Sequence, residues 1–230
     1  MDKQTFRALI QDTPIFLDGA TGSNLQKKGM PSGVCPEQWI LENKEVLVTL
    51  QKDFIDAGSR IIYAPTFTAN RIKLKEYGLE ENIRQMNHDL VAISKEAAGQ
   101  RAYVAGDITM TGEQLAPMGR LDFEELVAVY KEQIGCLVEA GVDLLVVETM
   151  MSLQETRAAV IAAKEVCDLA VMATLTFEAD GRTLFGTDAV TAAVVLENLG
   201  VAAVGVNCST GPDKMVSAVR SMAEVTTLPI

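Results

Sequence analysis

The sequence predicts an α/β protein of the (β/α)8 TIM-barrel type, a single domain over residues 1–230 that reaches about the start of a seventh strand. Three observations predict it. Short apolar, β-branched-rich runs recur along the chain with helical patterns between them. A glycine stands between a helix end and a strand in three similar stretches, DAGSRIIYAPT, EAGVDLLVVET and NLGVAAVGVNC. Polar residues close run after run: Asp18, Thr66, Asp107, Glu148, Thr176, Asn207 and Cys208. A barrel gathers such residues on one rim, whereas an open doubly wound sheet concentrates them at a single switch point.

The strands are read as IFLDGA from residue 15, RIIYAPTF from 60, AYVAGDIT from 102, DLLVVET from 143, AVMATLTF from 170 and AVGVNCS from 203. In the closing TTLPI, Leu228–Ile230 reads as the opening of a seventh. Among the helices, DFEELVAVYKEQIGCLVEAG is the clearest: Phe123, Leu126, Val127, Tyr130, Ile134, Leu137 and Val138 share one face. Asp122 with Glu125, and Ser152 with Glu155, have capping-box spacing. Gly58, Gly141 and Gly200 are expected at helix C-termini in left-handed conformation. No linker or low-complexity stretch divides the series.

With 48% hydrophobic residues the chain has material for a large core. Its 20 Lys and Arg against 31 Asp and Glu leave a net charge of −11, which argues against nucleic acid or an anionic membrane as partner and for a small polar ligand. The opening MDKQTFRALIQDTP has no apolar core of signal-peptide type, and no stretch is long and apolar enough to span a bilayer. A cytoplasmic protein is expected. The four cysteines, at 35, 136, 167 and 208, are spaced too far apart for a disulfide framework.

Several chemistries lack their parts. The stretch Gly19–Asn24 has neither the spacing nor the lysine of a phosphate loop. No Gly-x-Ser-x-Gly elbow is present, no lysine closes a strand for Schiff-base chemistry, and the single histidine, His88, lies in a helical segment. Asp18 and Glu148 each follow an apolar run, so two carboxylates at the mouth would hold an ammonium group; an internal ion pair with Arg or Lys is the alternative. Asp107 suits a supporting hydrogen bond as well as ligand contact. Cys136 and Cys167 read as packing residues and Cys35 as a loop residue. By position Cys208, in GVNCSTGP, is the best nucleophile or metal ligand, set against the reading of an inert buried thiol.

Taken together, FLDGATGSNL, PTFTANRIKL, GDITMTGE, VVET, FGTD and GVNCSTGP, in this order on successive strand ends, resemble the homocysteine S-methyltransferase family, and most of all the homocysteine-binding domains of cobalamin-dependent methionine synthases. The resemblance spans almost the whole chain. It implies a (β/α)8 barrel that binds zinc through three cysteine thiolates, one of them Cys208, the other two an adjacent pair after the eighth strand and so expected beyond Ile230. It also implies that Asp18, Gly19, Ala20, Glu148 and Asn207 hold homocysteine. Methyl transfer to its thiol would give methionine, from methylcobalamin carried by a separate cobalamin-binding module; betaine and S-methylmethionine are the alternative donors. A thiolate is the nucleophile, and a free thiol with pKa near ~8.5 is mostly protonated at neutral pH. A metal that takes this proton makes a general base unnecessary.

Two other readings stay open at this point: a catalytically silent amino-acid-binding barrel, and a metal-free lyase using Asp107 and Glu148 as acid and base. With one of three thiolates present, the 230 residues alone are expected to hold zinc weakly and to be inactive. An incomplete barrel leaves unpaired strand edges, so self-association is expected as well.

Overall fold

The computed structural model describes residues Met1–Ile230. Helix α1 (Lys3–Leu9) precedes β1 (Phe16–Leu17); α2 (Thr21–Lys27), α3 (Pro36–Glu42) and α4 (Lys44–Asp56) lead to β2 (Ser59–Tyr63). After α5 (Arg71–Lys75) and α6 (Ile83–Ala98) come β3 (Tyr103–Ile108), α7 (Phe123–Glu139), β4 (Leu144–Met150) and α8 (Leu153–Val166). The chain finishes with β5 (Val171–Leu175), α9 (Ala189–Leu199), β6 (Ala203–Val206) and α10 (Pro212–Ala223). All strands are parallel and lie in sequence order, β1-β2-β3-β4-β5-β6. They make a curled part-barrel, six strands of the (β/α)8 plan.

Strand alternation sorts the side chains. Ile61, Ala105, Leu144, Val146 and Met172 face inward and form one buried cluster with Phe6 of α1, which closes the N-terminal end of the lumen. Their neighbours Ile62, Val104, Ile108, Leu145, Val147, Val171, Ala173 and Val204 face outward into the main core. There they meet α4, α6, α7, α8, α9 and α10, which stand side by side around the sheet. Gly106 faces outward too, and a Cβ placed on it would come within 3.0 Å of Leu137 Cδ1 and 3.1 Å of Leu145 Cδ2. Its absence lets α7 approach β3 closely.

The helix predictions hold for α7 and in part for α8. Leu126, Val127, Tyr130, Ile134 and Leu137 are buried along α7, with Phe123 and Val138 packed at the margin. The Asp122–Glu125 capping box is formed. At α8 only half of the expected box exists: Ser152 Oγ accepts from Glu155 N at 3.3 Å. The Glu155 carboxylate turns elsewhere because one of its oxygens, Oε1, receives three donors, Thr111 N at 2.7 Å, Thr111 Oγ1 at 2.8 Å and Tyr130 OH at 2.9 Å. These tie the loop after β3 to α7 and α8. Gly58, Gly141 and Gly200 have φ of +113°, +84° and +85°, as a helix-terminating glycine requires.

Two further expectations change. The first strand shrinks to Phe16–Leu17, and Phe16 is 71% exposed, because β1 pairs only with β2. Cys35 is buried at the start of α3 against Leu74, Ile83 and Met86, where its thiol donates to Glu37 Oε2 at 3.5 Å; burial pushes it up to about 11. At the other end of the chain, Val204 N donates to Pro229 O at 3.0 Å, so residues 228–230 run alongside β6 as the sequence suggests. No helix is long and apolar enough to cross a membrane.

Candidate functional site

The alternation that fills the lower lumen with apolar residues fills its upper end with polar ones. On β3 the inward series Tyr103, Ala105 ends at Asp107; on β4 Leu144, Val146 ends at Glu148; on β6 Ala203, Gly205 ends at Asn207. Asp107 is the register partner of Val146, so Glu148 lies one inward position further along the neighbouring strand. Asp18 comes in from the end of β1, its Oδ2 accepting from Tyr63 N at 2.8 Å.

A β-bulge shapes the site. Val147 pairs with Ala173 and Met150 with Leu175, so β4 carries one residue more than β5 across this interval. The bulge takes in Glu148 and Thr149, and Thr149 has φ +58°, a left-handed backbone that a β-branched residue adopts only under constraint. That constraint is visible. Asn207 Oδ1 accepts from Thr149 N at 3.1 Å and from Thr174 Oγ1 at 3.0 Å. Its Nδ2 donates to Glu148 Oε2 at 2.8 Å and to Thr149 Oγ1 at 2.9 Å, and lies 3.5 Å from Cys208 Sγ. Thr176 Oγ1 donates to Asn207 O at 3.1 Å. One amide thus clasps the ends of β4, β5 and β6.

Cys208 follows with φ +60°, and Ser209 with φ +54°. Three non-glycine residues in left-handed conformation in and beside this clasp represent stored strain of about 1–3 kcal/mol each. The turn presents the Cys208 thiol to solvent at the rim, 3.5 Å from Thr149 Oγ1. The alternative of an inert buried cysteine does not hold for this residue. No group of three or more His, Cys, Asp or Glu in the chain is arranged to hold a metal ion.

The three carboxyls have no cationic partner. None of the ion pairs in the protein involves Asp18, Asp107 or Glu148, which removes the internal-ion-pair reading. Burial pushes Glu148 up to about 7. Burial likewise raises Asp18 to about 7, opposed by the Tyr63 N–H and assisted by the charge of Glu148. Asp107 is driven well above the ordinary carboxyl range by burial and then by Glu148 and Asp18. With no cation paired to them, Asp18 and Asp107 each have their ionised form disfavoured by the neighbouring carboxyls as well as by burial.

Of the residues named from the sequence, Asp18, Asp107, Glu148, Asn207 and Cys208 therefore meet at one end of the lumen. Gly19 and Ala20 continue directly from Asp18 into α2; a Cβ on Gly19 would lie 2.9 Å from Phe54 Cε1. His88 is exposed on α6 and pairs with Asp89. Thr174 and the bulged Thr149 were not singled out from the sequence. Thr174 was findable, since it stands two residues before Thr176 on the same face.

A family model described as homocysteine S-methyltransferase matches residues 15–230. Methionine synthase from Mycobacterium tuberculosis is 27% identical over 232 residues, covering 93% of this chain, and that from Mycobacterium leprae is 26% identical over the same share. The chain spans 19% of the length of each. Among solved structures, the metallated form of the homocysteine methyltransferase MmuM from Escherichia coli superposes with a TM-score of 0.82 at 22% identity, covering 97% of this chain and 84% of that one. At that identity the likeness shows the fold, a (β/α)8-type barrel.

Proposed function

This chain belongs to the homocysteine S-methyltransferase family, and on that premise we propose that its lumen binds homocysteine and presents the substrate thiol at the Cys208 rim for methylation to methionine. The observation that carries the proposal is the pairing of an uncompensated carboxyl cluster with an exposed, clasped cysteine at the same end of the barrel. Asp18 and Glu148 take the ammonium group, whose charge settles both carboxylates in their ionised form. The backbone at Asp18, Gly19 and Ala20 borders the amino-acid end. Asn207 holds Glu148 on one side and Cys208 on the other, so a substrate anchored by its ammonium has its thiol directed toward position 208.

Cys208 is proposed as one zinc ligand, with two further thiolates supplied from outside these residues. When bound, the metal would supply removal of the substrate thiol's proton. The chain's own residues anchor the substrate and fix the direction of its sulfur. As methyl donor we propose methylcobalamin delivered by a cobalamin-binding module, a reading supported by the motifs shared with cobalamin-dependent methionine synthases. Betaine and S-methylmethionine are the competing donors.

The test uses the full-length protein and its Cys208→Ala variant. Zinc content should fall and methyl transfer to homocysteine should be lost, while wild-type protein should turn over with methylcobalamin and not with betaine or S-methylmethionine. Full metal content in the variant, or chelator-resistant turnover in the wild type, would overturn the metal assignment.

A further inference from the structure

Asp107 is a carboxyl for which the roles assigned so far have no use. It is 6% exposed, lies on the inward face of β3, and its Oδ1 is buried with no hydrogen-bond partner. Its backbone is fully occupied: the carbonyl accepts from Thr66 Oγ1 at 2.8 Å and the N–H donates to the same hydroxyl oxygen at 3.1 Å. Those bonds fix the strand end; the carboxyl itself meets only the adjacent Ile108 N–H, which leaves Oδ1 without a donor. A buried carboxyl oxygen without a donor is destabilising by about 1–3 kcal/mol, so its retention at this spot points to a donor that arrives with a ligand. It stands beside the position of Glu148, one inward step away on the adjacent strand, and its charge is felt together with that of Asp18.

An unsubstituted ammonium carries three N–H donors. With Asp18 and Glu148 alone, one of the three would be left without a carboxyl inside the lumen. Resting on the homocysteine reading above, we propose that Asp107 is the third acceptor of the substrate's ammonium group, so that β1, β3 and β4 contribute one carboxyl each and the cavity selects ligands with a primary α-amine. Asp107 is then a specificity-determining residue that touches the substrate far from the sulfur. Methylating the nitrogen removes donors that the site is built to receive, and a site with a stranded buried acceptor rejects such a ligand.

The experiment is calorimetric binding to the purified full-length protein, wild type and Asp107→Asn, with homocysteine and with its des-amino analogue 4-sulfanylbutanoate. The asparagine is isosteric but brings its own N–H2 where a cation should sit. Homocysteine affinity should fall about 10- to 100-fold in the variant, the range of one hydrogen bond to a charged group, while the analogue changes by less than about threefold. Equal weakening of both ligands would reduce Asp107 to a structural residue, and no change for either would remove it from the site. Should the variant fail to fold, wild type with N-methylhomocysteine decides, since this ligand keeps two N–H donors, enough for Asp18 and Glu148 but not for a third acceptor: binding about tenfold or more weaker than homocysteine sustains the assignment, and equal binding overturns it. A wild-type protein that binds no homocysteine at all would instead sink the functional reading itself, visibly apart from these outcomes.

Discussion

Replacing Glu148 by glutamine should stabilise this protein at alkaline pH while weakening the homocysteine binding proposed above. Burial raises the Glu148 carboxyl from 4.5 to about 7, and Asp18, Asp107 and Tyr63 are the titratable groups that face it. Between these two values the native state binds a proton that the unfolded chain has lost, so stability falls as pH rises through that window. A shift of this size, at about 1.4 kcal/mol per pH unit, amounts to ~3 kcal/mol of native-state destabilisation, complete above about pH 8 and absent below about pH 4. The glutamine side chain would avoid the ionisation and still accept from Asn207 Nδ2, which now donates to Glu148 at 2.8 Å. Part of the gain is offset by a buried amide with an incompletely used NH2 group, at about 1 kcal/mol. The variant should therefore melt about 4–8 °C higher than wild type at pH 8.5, given ~2–4 °C per kcal/mol for a chain of this size, and within about 2 °C of it at pH 5. Scanning calorimetry across pH 4.5–9 measures both curves. Parallel curves, or a lower melting temperature for E148Q at pH 8.5, would refute the idea that the carboxyl cluster holds an uncompensated charge.

Two more outcomes follow from the same geometry. Asn207→Asp exchanges the donor that faces Glu148 for a second carboxylate, so chemical denaturation should show a loss of about 2–4 kcal/mol at pH 8 that shrinks at pH 5, where the pair can share a proton; an equal loss at both pH values would show that charge is not the cause. Gly106→Ala should cost about 1–2 kcal/mol by overpacking against Leu137 and Leu145, with specific activity per folded molecule retained; a neutral effect would mean that α7 moves away freely.

The proposed trade between stability and use is visible in the backbone as well. Thr149, Cys208 and Ser209 all hold left-handed conformations around Asn207, at the place where a thiol is brought to the rim. Strain of this kind persists only where surrounding bonds over-determine it, and here the polar contacts of the Asn207 side chain do so for Thr149 and Cys208.

The order of the strands, their inward and outward faces and the polar residue that closes each of them were determined by the sequence itself. Periodicity of two or of 3.6 is written within about ten consecutive residues, and Asp107, Glu148 and Asn207 reach the mouth by that periodicity alone. What only the tertiary structure decided depends on residues far apart in the chain. The clasp joins Asn207 to Glu148 across 59 positions, and the Thr149 bulge exists only as a register difference between β4 and β5. The burial of Cys35 beside Glu37, the diversion of Glu155 from its cap to Thr111 and Tyr130, and the absence of any cation near the three lumen carboxyls belong to the same class. Local pattern specifies which face a side chain takes; which distant partner meets it there is settled when the strands align and the helices close over them.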